Sequence, residues 1–327
     1  MSLLPTPPQS TLTVISTIPA STTTLAAPRP AVILPGLGNN TGDYKDLVLT
    51  LREVYGLPSV VTKVSRVDWL RNAAGLLDPN YWRGTLRPRP VLDWYRAVPS
   101  PLGPINATAD RYLERVEEAV AEAKQLLADG GKISLIGHSA GGWLARLYLE
   151  EFGASNISLL LTLGSPHLAP PKDLPGIIDQ TRGLLDYVEI NCAPAVYTPE
   201  LKYICLAGRY IRGARLVGNS KDTSNNLNPV DEEPNDSESI KDAGNKKSLP
   251  ATPSLRARFI GQGYKQVCGE ADVWGDGVVP EVSAHLEGAL NISLDGVYHS
   301  PVGSDDTTRP WYGSPSVLAK WAHHLLT

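Results

Sequence analysis

A serine in a glycine-rich segment is the residue of this sequence best suited to chemistry. Ser139 lies in Gly137–Gly142, which reads Gly-His-Ser-Ala-Gly-Gly. The apolar run Ile133–Ile136 before it predicts a buried strand, and Trp143–Glu151 after it predicts a helix. A Gly-x-Ser-x-Gly pentapeptide alone occurs by chance, but between a strand and a helix it predicts a sharp turn that exposes the hydroxyl. Ser139 is therefore predicted to be a nucleophile, and a glycine-rich turn with an incidental serine is the alternative.

A serine nucleophile needs a base, and this strand–turn–helix setting requires the chain order serine, acid, histidine. His299 follows the predicted strand Leu290–Leu294 by a few residues, where a loop can deliver a base to the strand edge. Its alternative role is that of a loop histidine bonded for structure. The five other histidines are less suitable. The turn should point the side chain of His138, the serine's neighbour, elsewhere, and His167 precedes any suitable acid in the chain. His285, His323 and His324 lie in predicted helices.

The acid must lie between the serine and the base. Asp276 is flanked by glycines in Trp274–Pro280, where its carboxylate could hold the imidazole in the useful tautomer. Asp272, four residues earlier, and Asp295, four residues before His299, are rivals. Asp295 would need its loop to fold back sharply, so Asp276 is the preferred acid.

Two backbone N–H groups must stabilise the oxyanion that forms during acyl transfer. One is the N–H of the residue after the nucleophile, Ala140. The other is expected from Pro35–Gly38, which follows the apolar run Ala31–Leu34, and Leu37 is its natural donor. The small flanking residues let the backbone approach a carbonyl closely.

The elements that must position these residues alternate between strands and helices. This alternation predicts an α/β fold with a doubly wound, mostly parallel sheet. The predicted strands are Ala31–Leu34, Ser59–Val64, Ile133–Ile136, Ile157–Leu163, Tyr203–Ala207 and Leu290–Leu294. The predicted helices are Thr108–Ala128, Trp143–Glu151 and Val317–Leu326, the last with Ser314 as its cap.

Three segments depart from this alternation of strands and helices. Residues 30–327, which contain two of them as insertions, are predicted to form one domain. Residues 1–29 are rich in Ser, Thr, Pro and Ala and lack acidic residues, which fits a chloroplast transit segment or a disordered tail of a cytoplasmic protein. Arg66–Pro104 is a Trp-rich insertion, expected to lie over the carboxyl edge of the sheet. Residues 218–253 are polar and predicted to be a disordered insertion.

Composition excludes several classes of protein. A formal net charge of −4 gives nucleic acid little to bind, and no apolar run approaches the length of a membrane span. The three cysteines are far apart and odd in number, so neither a disulfide scaffold nor a zinc site is predicted. No metal or organic cofactor is implied.

Several of these motifs together resemble the α/β-hydrolase superfamily, and more narrowly its lipases and esterases of the kind related to GPI-inositol deacylases and found in plant plastids. The resemblance runs from about Pro30 to the carboxyl end, outside the polar insertion. It implies hydrolysis of a carboxylic ester through an acyl-serine, and His167 matches a motif that is structural in such lipases. The motifs are Pro35–Gly38, Gly137–Gly142, Thr162–His167, Gly275–Pro280 and His299–Ser300.

Three functions are compatible with these residues. The preferred one is a serine esterase or lipase acting on an apolar or lipid acyl ester, with peripheral contact to a membrane allowed. An acyltransferase would pass the same acyl group to an alcohol, and no motif separates it from a hydrolase. A ligand-binding protein that has kept only the fold would have no need to hold Ser139, Asp276 and His299 together.

Overall fold

The computed structural model describes residues 28–69, 112–127, 131–179, 181, 184–195, 197–216 and 253–326 of the chain. The predictions made for residues 1–27, for the Trp-rich insertion beyond residue 69 and for residues 218–252 lie outside the described residues. Trp69 is the insertion's described tryptophan. It is buried, its ring packs 5.6 Å from that of Tyr112, and its Nε1–H donates to the Asn39 carbonyl at 2.7 Å.

The centre of the fold is a six-stranded sheet in which every pairing is parallel, with the order β2-β1-β3-β4-β5-β8. Every residue of the central strands β3 and β4 is buried, as their mostly apolar sequences lead one to expect. This sheet confirms the predicted α/β fold class. The strands of the sheet are β1 (Ala31–Leu34), β2 (Ser59–Val61), β3 (Ile133–His138), β4 (Ile157–Leu163), β5 (Lys202–Arg209) and β8 (Leu290–Asp295).

Helices cover both faces of this sheet. Apolar side chains of α2, α3 and α4 pack on one face, and those of α1 and α7 pack on the other. The helices are α1 (Lys45–Tyr55), α2 (Tyr112–Gln125), α3 (Ala140–Phe152), α4 (Leu184–Asn191), α5 (Leu255–Cys268), α6 (Glu281–Ala284) and α7 (Pro315–Trp321), with 3₁₀ turns at Thr41–Tyr44 and Ala322–Leu325. No helix in the described part of the chain has the length and hydropathy that a bilayer crossing requires.

A short antiparallel ribbon, which the sequence does not predict, joins the sheet to the predicted acid. It pairs β6 (Ile211–Arg212) with β7 (Trp274–Gly275). Helix α5 supports this ribbon, since the Tyr264 hydroxyl accepts the Gly277 N–H at 2.9 Å and donates to the Ile211 carbonyl at 3.2 Å. Strands of two residues carry no alternation of polar and apolar side chains, so periodicity alone does not find them.

Three predictions about element ends are corrected by the structure. Strand β2 was expected to run to Val64, but it ends at Val61. His285 was expected within a helix, but α6 ends at Ala284 and His285 is its extended C-cap residue. The closing helix was expected to run to Leu326, but its α-helical part ends at Trp321 and a 3₁₀ turn follows. Ser314 is the N-cap residue as predicted, although its hydroxyl accepts the Trp311 N–H at 3.1 Å and makes no capping bond.

Candidate active site

Ser139 lies between β3 and α3 in a strained turn. Its φ is 51° and its ψ is −122°, and among the described residues it is the one non-glycine residue with a positive φ. A positive φ is costly for a residue with a Cβ and persists where the surrounding structure enforces it, as at many functional sites. Ser139 is half-buried, so its hydroxyl remains within reach of a ligand.

Glycines around Ser139 make this turn sterically feasible. A Cβ added to Gly141 would lie 2.1 Å from the Leu34 carbonyl oxygen. A Cβ on Gly142 would lie 2.1 Å from Ser165 Oγ, and one on Gly36 would lie 2.7 Å from Ser139 Cβ. No side chain fits at these separations. Helix α3 can therefore begin directly at the end of β3, close to the loops that follow β1 and β4.

Asp276 and His299 form a buried hydrogen-bonded pair. His299 Nδ1 lies 2.7 Å from Asp276 Oδ2, and the His299 main-chain N–H donates to the Asp276 carbonyl at 3.0 Å. Since a carboxylate accepts hydrogen bonds, the proton of the neutral His299 ring lies on Nδ1. His299 Nε2 is then the nitrogen free to take a proton from a nucleophile.

Four donors converge on the Asp276 carboxylate. Its Oδ1 accepts the main-chain N–H groups of Val278 and Val279 at 3.0 and 2.8 Å, because the chain turns tightly after β7. Its Oδ2 accepts from His299 and, at 2.9 Å, from the hydroxyl of Tyr312. The Tyr312 hydroxyl itself accepts the Gly208 N–H at 2.7 Å. Both carboxylate oxygens are thereby fixed, and with them the orientation of the His299 ring.

The two rival carboxylates lie elsewhere. Asp272 forms a salt bridge with Arg212 at 2.9 Å on the surface. Asp295 is the last residue of β8, its side chain is 85% exposed, and it pairs with Arg209 at 3.3 Å. Of the three aspartates weighed from the sequence, Asp276 is therefore the one that the structure brings to His299.

The predicted oxyanion donors lie at the carboxyl ends of neighbouring strands. Leu37 follows β1, and Ala140 is the first residue of α3. Within the described residues, neither main-chain N–H of these two donates a hydrogen bond. Leu37 as a whole residue is 51% exposed, so it lies at the protein surface. Both N–H groups therefore remain available for an oxyanion.

No hydrogen bond joins the Ser139 hydroxyl to the His299 ring in the part of the chain that the structure describes. Catalytic hydrogen bonds are often long or poorly aligned without substrate and tighten when it binds. The base nevertheless lies close to the nucleophile turn, because the ring centroid of His138, the residue before Ser139, is 4.9 Å from that of His299. The described residues contain no cluster of His, Cys, Asp and Glu that could hold a metal ion.

His167 contacts Thr162 and Cys205, with its Nε2 3.1 Å from Thr162 Oγ1 and 3.6 Å from Cys205 Sγ. Burial lowers the pKa of His167 to about 3, so the ring is neutral at ordinary pH. This environment agrees with the inference that His167 is not the base.

Two tyrosines of the site were not predicted from the sequence. Tyr312 lies shortly before α7 and bonds the acid, and Tyr44 ends the first 3₁₀ turn and bonds His138 at 2.7 Å. Neither stands in a motif, and Tyr44 is 94 residues from its partner. The one general signal is that the hydroxyl of a buried tyrosine usually forms a hydrogen bond, but the sequence does not say with which partner.

Comparison of the sequence with known proteins finds partial matches to one family and one curated protein. The model of the family "PGAP1-like alpha/beta domain" matches residues 107–186, about a quarter of the chain. "Putative GPI inositol-deacylase C" of Yarrowia lipolytica is 34% identical over 73 residues, which are 20% of this chain and 9% of that protein. The chain thus spans a small fraction of the length of this curated relative.

Comparison with solved structures finds, among others, a lipase and an esterase, both with low scores. A monoacylglycerol lipase of Paleococcus ferrophilus has a TM-score of 0.39 at 11% identity, covering 92% of this chain and 96% of its own. The esterase EaEST of Exiguobacterium antarcticum has a TM-score of 0.26 at 19% identity, covering 45% and 42%. Since both scores lie below 0.5, the fold assignment rests on the strand order and the family match. The predicted resemblance to the α/β-hydrolase superfamily is confirmed.

Proposed function

We propose that this chain, which has the α/β-hydrolase fold, hydrolyses a carboxylic ester of an apolar or lipid acyl group through an acyl-serine intermediate. The observation that carries the proposal is the strained turn of Ser139 at the end of β3, beside the 2.7 Å pair of His299 and Asp276. A serine hydroxyl held in such a turn, with a base oriented by a carboxylate, is the arrangement of nucleophilic acyl transfer.

In this mechanism Ser139 Oγ attacks the ester carbonyl while His299 Nε2 takes the hydroxyl proton. The carbonyl oxygen becomes an oxyanion, which the N–H groups of Leu37 and Ala140 stabilise. Collapse of the intermediate breaks the bond to the alcohol, which leaves with the proton from His299. A water then attacks the acyl-serine and gives a proton to His299. His299 passes that proton to Ser139 Oγ as the bond between Oγ and the acyl carbon breaks, which releases the acid and free Ser139.

The apolar character of the proposed substrate is supported by the loops that carry the site. Leu37 on the oxyanion loop, Val278 after the acid and Val302 after the base are 51%, 49% and 51% exposed. Large exposed apolar side chains on three neighbouring loops suit an acyl chain or the surface of a lipid aggregate. We therefore include peripheral contact with a membrane surface in the proposal. The similarity to a protein named as a deacylase supports an acyl ester as the substrate class.

The decisive experiment removes the nucleophile. Ser139→Ala should lower kcat for a p-nitrophenyl ester by about 10⁴-fold or more and abolish labelling by a fluorophosphonate probe. Ser155→Ala, in the exposed turn before β4, is the matched control and should behave as the wild type. A folded Ser139→Ala protein that keeps most of its activity would contradict the proposal. Adding an acceptor alcohol and analysing the products separates hydrolysis from acyl transfer.

Location in the chloroplast is also a proposal, and it rests on the composition of residues 1–29. Expression of these residues in front of a fluorescent protein in plant cells would test it. Import into plastids is the expected result, and a diffuse cytoplasmic signal would favour the other location.

A further inference from the structure

The Tyr44 hydroxyl connects the oxyanion loop to the residue before the nucleophile. Tyr44 is fully buried at the end of the 3₁₀ turn Thr41–Tyr44. Its hydroxyl accepts the Gly36 N–H at 2.9 Å and lies 2.7 Å from His138 Nδ1. Gly36 directly precedes Leu37, the predicted oxyanion donor. The Tyr44 hydroxyl therefore fixes the peptide next to the one that would bind the oxyanion.

The other nitrogen of His138 reaches the loop of the base. His138 Nε2 lies 2.9 Å from the main-chain oxygen of His299. A carbonyl oxygen only accepts hydrogen bonds, so Nε2 carries the proton of the neutral ring. His138 Nδ1 must then accept, and the Tyr44 hydroxyl donates to it. The chain of hydrogen bonds runs from the Gly36 N–H through the Tyr44 hydroxyl and the His138 ring to the His299 carbonyl. Each group in it has one consistent role as donor or acceptor in each bond.

Packing and burial hold His138 in this state. Its ring lies 5.7 Å from that of Trp311 and 5.8 Å from that of Tyr44, edge to face in both cases. Burial, reinforced by the neighbouring His299, lowers the pKa of His138 to about 3. The ring is thus neutral wherever a serine hydrolase works.

The two loops that this network joins belong to distant strands. The oxyanion loop follows β1, the base loop follows β8, and three strands lie between β1 and β8 in the sheet. His138 is the last residue of β3, one of those three, and its side chain bridges toward both loops. The sheet itself supplies no direct contact between β1 and β8 that could set their relative position.

We propose that Tyr44 and His138 are positioning residues that hold the Leu37 oxyanion donor and the His299 base in one fixed arrangement around Ser139. The inference rests on the proposed function and extends it to two residues that touch no reacting atom. Misplacement of a catalytic group by about 1 Å can cost 100-fold in rate, so a rigid link between the two loops has a kinetic consequence.

The test is Tyr44→Phe, with Tyr148→Phe as the matched control. The first change leaves the Gly36 N–H and His138 Nδ1 buried without their partner. The second also removes the hydroxyl of a buried tyrosine, one that donates to the half-buried Glu117 of α2. Tyr148 lies toward the C-terminal end of α3, whereas Ser139 precedes the first residue of that helix. We expect both variants to lose thermal stability, and only Tyr44→Phe to lose kcat, by about 10- to 100-fold with KM little changed.

Inhibition by a boronic acid, which mimics the tetrahedral intermediate, gives a readout that a merely structural role would not move. Its inhibition constant should rise in Tyr44→Phe by about the same factor as kcat/KM falls, and should stay unchanged in Tyr148→Phe. Equal activities and equal inhibition constants in the two variants would overturn the positioning role and leave the proposed function intact. A wild-type protein with no esterase activity and no probe labelling would instead overturn the proposed function, and the positioning role with it.

A measurement on the wild type covers the case in which Tyr44→Phe does not fold. Nitrogen-15 NMR of the histidine side chains should show His138 protonated on Nε2, with no titration between pH 5 and 8. A proton on Nδ1, or a titration in that range, would overturn the proposed network.

Discussion

At the scale of single residues, the site depends on which carboxylate orients His299. Asp276→Asn should lower kcat/KM by roughly 10³- to 10⁴-fold, because an amide in place of the carboxylate favours the wrong tautomer of the ring. Asp295→Asn should change kcat/KM little, since an exposed pair such as that of Asp295 with Arg209 contributes at most about 1 kcal/mol. Steady-state kinetics of the two variants, with melting temperatures as a control for folding, decide between them. The reverse ranking would make Asp295 the orienting acid.

The residues of the proposed triad could be predicted because each has a local signal. Ser139 lies in a glycine-rich turn between a strand and a helix. Asp276 and His299 follow it in the required order of serine, acid and histidine, Asp276 between two glycines and His299 shortly after a strand. His138 shows where local reasoning stops. The sequence predicted only that its side chain points away from Ser139, and the structure shows that it bonds Tyr44 and His299. Such contacts join residues far apart in the chain, and no spacing encodes them.

At the scale of elements, glycines at the strand ends make room for the acid. Gly164 follows β4 with a φ of +54°, and a Cβ there would lie 2.4 Å from Asp276 Oδ2 and 2.7 Å from the Tyr312 hydroxyl. Gly153, which caps α3, has a φ of +81° and open space around its missing Cβ. An added side chain is therefore strained by the positive φ at both positions. Only at Gly164 would its Cβ also collide with other atoms, those of Asp276 and Tyr312.

Gly153→Ala should cost about 1–3 kcal/mol of unfolding free energy and leave activity intact, because its backbone, at φ +81° and ψ 163°, lies in a region that essentially only glycine adopts. Gly164→Ala should cost more and should also lower kcat, since the new methyl group displaces Asp276. Urea denaturation and ester hydrolysis measure both effects. Equal activities in the two alanine variants would show that the acid tolerates displacement.

Fully buried apolar strands were predicted well, including the four-residue β1, whereas the partly exposed β2 and the two-residue strands of the ribbon were not. Strand β4 has the predicted bounds, Ile157–Leu163, because a continuous buried run carries its own signal. Strand β2 ends at Val61 rather than Val64, and the ribbon of β6 and β7 was missed. In these short segments the pairing partner decides the structure, and the partner lies outside any sequence window.

At the scale of the whole molecule, the strand order gathers the site. Residues that follow β1, β3, β7 and β8 meet at one side of the fold, as ligand sites do at the carboxyl ends of parallel strands. The alternation of strands and helices predicted the parallel sheet. It did not give the order β2-β1-β3-β4-β5-β8, because the alternation does not specify which strands become neighbours.

The same burial that fixes the site makes the whole fold sensitive to acid. His138 and His167 are fully buried and neutral, and burial lowers the pKa of each to about 3. In the unfolded chain both titrate near pH 6.5, so below that pH the unfolded state binds protons that the folded state does not. The stabilising contribution is therefore complete above about pH 6.5 and is lost as the pH falls toward about 3.

We expect the free energy of unfolding to fall by about 4 kcal/mol between pH 8 and pH 5, about 2 kcal/mol for each of these two histidines. Urea denaturation at a series of pH values measures this slope. His167→Gln should reduce the slope between pH 5 and 6 by about one proton per molecule, because glutamine does not titrate, whatever its effect on stability at pH 8. A stability that is flat or rises from pH 6.5 to pH 5 would show that the buried rings are protonated in the folded state, and that the hydrogen-bond roles assigned to His138 are wrong.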